Sequence, residues 1–133
     1  ELGKGKTIAD GDDITIIATG LMTTESVQAV EELKAEGINA RLINIHTIKP
    51  IDKDIIIKAA KETGNIVTVE EHSIIGGLGS AVAEVLSEEA PCKLTRIGIN
   101  DEFGQSGKPA DLLDFYGLNA KHIAKKVKEI LGK

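Results

Sequence analysis

Aromatic side chains are scarce: the 133 residues include one Tyr, two Phe and no Trp. That argues against nucleic-acid recognition by base stacking. It also requires a core of Ile, Leu, Val and Ala, a set suited to helices packed on a β-sheet. Cysteine occurs once, at Cys92, which excludes an intrachain disulfide and points to a reducing compartment, read here as the cytoplasm. One cysteine and three scattered histidines (His46, His72, His122) make no metal-ligand cluster by spacing. No apolar run approaches the ~20 residues of a membrane span, and no signal-peptide pattern opens the chain. The first residue is Glu1 and the only methionine is Met22, so a larger parent is expected.

Positive charge is also in short supply. The net charge of -5 opposes general affinity for nucleic acid or an anionic membrane. Lys121, Lys125, Lys126, Lys128 and Lys133 cluster near the C-terminus and read as the solvated face of a helix.

What is present is alternation of β-rich runs and helical patterns. Asp13–Gly20, "DITIIATG", is a run rich in β-branched residues ending at glycine, which reads as a buried strand. Val27, Val30 and Leu33 recur among charged residues up to Gly37, predicting a helix. A second strand is expected within Asn39–Pro50. A helix capped by Asp52 and ended by Gly64 follows, with Ile55, Ile56 and Ala59 on its apolar face. Asn65–Glu70 is a third strand, a helix carrying Val82, Val85 and Leu86 comes next, and Lys93–Ile99 is a fourth strand. A helical turn is expected near Leu112 and Leu113, before a final helix with Asn119 as N-cap and Ile123, Val127, Ile130 and Leu131 as its stripe. Such alternation implies right-handed βαβ units. Gly5–Asp10 is expected to add a short edge strand that turns back through "DGDD" into the first parallel strand and would be antiparallel to it. The fold expected for residues 1–133 is a single three-layer α/β/α sandwich: a mostly parallel five-stranded sheet with one antiparallel edge strand.

In open parallel sheets, ligands bind beyond the carboxyl ends of the strands. This nominates the loop after Gly20, His46–Lys49, Glu70–Gly79 and Asn100–Gly107. The candidate site is the turn "EEHSIIGGLGS", with Glu70, Glu71, His72, Gly76, Gly77 and Gly79. Free amides at the helix start could hold a phosphate or carboxylate. Against this, Val82 stands where G-x-G-x-x-G needs its third glycine, and two glutamates precede the turn. The alternative is a tight strand-to-helix turn at a domain interface. Adjacent strand residues face opposite ways, so at most alternate members of Glu70, Glu71 and His72 share a site. His46 reads as a strand-end residue and His122 as exposed. Neither a G-x-S-x-G nor a P-loop pattern occurs.

"DDITIIATGLMTTESVQAVEELKAEGINARLINIHTIKPID" and "VTVEEHSIIGGLGSAVAEVL" resemble the C-terminal domain shared by transketolases, deoxyxylulose-phosphate synthases and the beta subunits of thiamine-dependent 2-oxo-acid dehydrogenases. In the tail, Asp101, Phe103, Gly104, Ser106, Gly107, Leu112, Leu113, Tyr116, Gly117 and Leu118 look like the transketolase ending. The resemblance implies a parent that uses thiamine diphosphate and Mg2+ to move a two-carbon ketol unit between sugar phosphates. It implies N-terminal and pyrimidine-binding domains, or a separate subunit, as partners, and a homodimeric parent. The family's diphosphate and metal motif is absent, since "ADGDD" at Ala9–Asp13 has the wrong order. No catalytic residue carries over, and this domain alone is not expected to bind the cofactor.

Overall fold

The computed structural model describes residues 3–73, 77–99 and 119–133. The expected helical turn near Leu112 and Leu113, the Asn100–Gly107 loop and Gly76 lie outside them. The strands are β1 (Lys6–Ala9), β2 (Ile14–Ala18), β3 (Ala40–Asn44), β4 (Asn65–Ser73) and β5 (Lys93–Ile99). The helices among the described residues are α1 (Met22–Ala35), α2 (Lys53–Thr63), α3 (Leu78–Glu89) and α4 (Ala120–Leu131). One sheet has the order β1-β3-β2-β4-β5, with β1 antiparallel to β3 and the remaining pairs parallel.

β2 lies at the centre because its five residues suit burial on both faces, and all five are buried. Its period of two sends Ile14, Ile16 and Ala18 into one core, where Met22, Ala29 and Leu33 of α1 and Ile123, Ala124 and Val127 of α4 meet them. Ile17 points into the other core, against Ile56 and Ala59 of α2 and Leu78, Val82 and Leu86 of α3. Two helices thus cover each face, giving three layers. Asp52 caps α2 through a 3.4 Å bond from the Ile55 amide. Gly64 ends it in the left-handed region, with its N–H on the Ala60 carbonyl.

Two details differ from the sequence expectation. The buried face of α1 is Met22, Ser26, Ala29 and Leu33; Val30 packs at its margin and Val27 is exposed. A repeat of three drifts about 60° per step on a helix with 3.6 residues per turn, so Val27 and Leu33 cannot share a face. Second, β1 pairs with β3 rather than with β2, which follows it in the chain. The link between β1 and β2 is held instead by Arg41 at the start of β3. This buried side chain donates to the Gly11 carbonyl at 3.1 Å and meets Asp10, Asp12 and Glu62 at 3.3, 3.6 and 2.8 Å. Asp10 and Asp12 are largely exposed, so the closer Glu62 contact contributes most of the ionic part.

Gly11 is packed against backbone: a Cβ there would lie 2.4 Å from the Asn39 oxygen. Gly11→Ala should therefore lower stability by about 1–3 kcal/mol in urea denaturation. Gly5→Ala should cost less, since its new methyl would meet only Ile55 and Ile45 side-chain atoms at 3.2 and 3.3 Å.

Candidate functional site

The carboxyl ends of β2, β3 and β4 lead to the starts of α1, α2 and α3. Free N–H groups and the helix dipole make such starts natural anion sites. Here the chain's own oxygens meet them. Glu70, only 2% exposed, accepts from the Leu78 amide through Oε1 at 2.9 Å and from the Gly79 amide through Oε2 at 2.8 Å. Glu71 accepts from the Leu21 amide at the start of α1 at 3.3 Å. Asp52 caps α2 and also accepts from the Gly5 amide at 2.9 Å. At α4, Glu25 accepts from the Ala120 amide at 3.0 Å, and Asn119 from the His122 amide at 3.0 Å.

Glu70 and Glu71 therefore part company, one serving the helix on each side of the sheet, as alternation along β4 requires. They do not form a single acid/base cluster. His72 belongs to the β4 backbone, and its side chain lies outside the described residues. Gly77 is the N-cap residue of α3 and its carbonyl accepts from the Ala81 amide at 3.1 Å. Gly79 is buried, and a Cβ on it would lie 2.6 Å from Arg96 Cδ and 3.1 Å from Thr68 Oγ1. The absent side chain lets the first turn of α3 settle on β4 and β5. In this turn, the glycines and Glu70 bring helix to sheet and satisfy its amides. A diphosphate would need the amide positions that Glu70 occupies, so these residues do not fit the family's cofactor.

Other expected polar residues lie apart from this turn. His46 is exposed just beyond β3, and its Nε2 is 3.1 Å from Asn44 Nδ2. The Thr23 hydroxyl donates to Asn44 Oδ1 at 3.2 Å. His122 is half-buried rather than exposed, because it sits in the first turn of α4 with Nδ1 2.7 Å from Asn119 Oδ1. Of the C-terminal lysines, Lys126 pairs with Glu129 and Lys128 with Glu36. Sequence reasoning finds the Asp52 and Asn119 caps, which are local. It misses Glu25, 95 residues from the amide it serves, and the partners of Glu70 and Glu71, for which the sequence carries no spacing signal.

Glu70→Ala would leave two buried amides without an acceptor, at a cost of about 2–3 kcal/mol. Added formate should recover part of that loss in thermal melts of the variant, while leaving the unsubstituted chain unchanged. Burial raises the Cys92 thiol pKa above its ordinary 9.0, keeping it protonated at neutral pH. Its reaction with a disulfide reagent at pH 7 should be slower than that of free cysteine, and its rate should keep rising with pH beyond the point where that of free cysteine levels off.

The family model described as "Transketolase, C-terminal domain" matches residues 3–123. A chain of Methanocaldococcus jannaschii described as a transketolase C-terminal section is 54% identical over 134 residues, which cover 100% of this chain and 42% of that one. A 6-deoxy-6-sulfo-D-fructose transketolase subunit of Clostridium sp. is 45% identical, covering 97% of this chain and 40% of its own length. The solved structure titled "Split gene transketolase, inactive beta4 tetramer" superimposes with a TM-score of 0.94 at 48% identity, covering 99% of this chain and 43% of that one. This chain thus spans less than half the length of these relatives. It belongs to the transketolase C-terminal domain family of the thiamine-diphosphate-dependent enzyme superfamily.

Proposed function

We propose that this chain is the non-catalytic C-terminal domain of a transketolase and serves assembly and domain packing. The parent would transfer a two-carbon ketol unit between sugar phosphates, with thiamine diphosphate and Mg2+ bound by its other domains. The observation carrying this reading is the closure of the described helix starts by internal oxygens, above all the two amides of α3 held by the buried Glu70. An autonomous anion- or nucleotide-binding module would need those amides open, so that alternative loses its strongest support. On this reading the turn formed by Glu70, Glu71, His72, Gly76, Gly77 and Gly79 fixes the position of α3 and faces neighbouring domains.

The partners are the N-terminal and pyrimidine-binding domains, on the same chain or on a separate subunit, in a homodimeric parent. We assign the parent to the cytoplasm and to pentose phosphate metabolism. No described helix is long and apolar enough to cross a membrane, and the lone cysteine suits a reducing compartment.

Isothermal titration of this chain with thiamine diphosphate plus Mg2+, and separately with xylulose 5-phosphate, should give no saturable heat. Saturable sugar-phosphate binding abolished by Gly77→Phe would favour the anion-binding module. Saturable thiamine diphosphate binding would place cofactor recognition in this domain and overturn the assembly reading.

A further inference from the structure

β1 lies at an edge of the sheet and pairs with β3 alone. Its residues bury little: Lys6, Thr7 and Ile8 are exposed and Ala9 is half-buried. The ladder is also interrupted, because the register slips between Thr7 and Ala9, and a bulge of this kind disrupts the pairing around it. Fixing the backbone costs conformational entropy at every residue. A strand this short and exposed recovers little of that cost by burial.

Both of its ends are fastened to α2. Ahead of β1, the Gly5 amide donates to Asp52 Oδ2 at 2.9 Å, while Oδ1 of the same carboxylate caps α2. Beyond β1, Glu62 in the last turn of α2 meets Arg41 at 2.8 Å, and Arg41 donates to the Gly11 carbonyl. β1 therefore runs alongside α2 in the same direction, tied near the start of the helix and again near its end. Between the two ties lies a cavity of about 740 Å³, lined by Thr7 of β1, Ile43 of β3 and Ile55, Lys58 and Glu62 of α2.

We propose that residues 5–12 form a strap over this cavity, which opens as a single unit ahead of the rest of the fold. Segments with few buried contacts open locally at a lower free energy than the core. The two ties make the segment one unit, since neither half has burial of its own to hold it once the other is free. Opening stops at β2, where the Asp13 amide donates to the Asn39 carbonyl at 3.1 Å and the Asn39 amide to Asp13 Oδ2 at 2.7 Å.

The test is native-state hydrogen exchange of this chain, read by mass spectrometry on short peptides, with each tie cut in turn. Asp52→Asn keeps an oxygen for the Ile55 amide, and Asn caps helices as well as Asp, but it places a donor where Gly5 needs an acceptor. Exchange should rise about tenfold throughout residues 5–12, including the far end at Gly11, as loss of a bond to a charged group predicts. Glu62→Ala should likewise speed exchange back to Lys6, and β2 should be unchanged in both variants. Acceleration confined to the end that was cut would mean two independently fraying turns and would overturn the strap. So would residues 5–12 exchanging no faster than β2 in the unsubstituted chain, or acceleration spreading through α2 in Asp52→Asn. Uncovering of the cavity has its own readout. Ile43→Cys, introduced with Cys92→Ser, should react with a thiol reagent about tenfold faster once Asp52→Asn is added; an unchanged rate would rule the opening out.

Discussion

The buried carboxylate of Glu70, shared between the Leu78 and Gly79 amides, is the constraint on which the carboxyl end of the domain depends. A helix that begins over the end of a strand leaves unpaired N–H groups pointing at whatever lies there. In nucleotide-binding relatives of this architecture a phosphate takes that place. Here the preceding strand supplies the anion internally, and Gly79 allows the helix to sit close enough to receive it. The helix start is consumed by the fold itself.

The same solution recurs around the domain with different residues. Glu71 serves α1, Asp52 serves α2, and Glu25 joins Asn119 at α4. Two of these contacts, those of Glu25 and Glu71, also tie elements distant in sequence, so satisfying a helix amide and fixing the tertiary arrangement are one event. The two bonds to Glu70, at 2.9 and 2.8 Å, have the short geometry of charge-assisted bonds, which are stronger than neutral ones. Together the helix-start contacts give a domain almost without aromatic side chains a polar framework to complement its aliphatic cores.

The opposite end of the sheet is organised by Arg41. Its guanidinium gathers the β1–β2 link and the last turn of α2, while Gly11 permits the link to pass against the Asn39 backbone. That end is closed by local geometry. The carboxyl end instead keeps an exposed leucine and a tethered imidazole on its rim.

The layer order, the parallel strands and the antiparallel edge were legible in the sequence, because hydrophobic periodicity and glycine stops are local signals. Asp52, Gly64 and Asn119 announced helix ends for the same reason. The alternation rule separated Glu70 from Glu71 in advance. Periodicity read three residues at a time misplaced Val27, since only contact with the sheet fixes the rotation of a helix. Pairing of β1 with β3 also required the tertiary structure, for strand order depends on which edge remains open. The sequence by itself determined the elements and the family. Only the tertiary structure decided that Glu70 fills the α3 start, that Glu25 reaches α4 and that Thr23, Asn44 and His46 form one chain, because each joins groups whose separation along the chain carries no periodic signal.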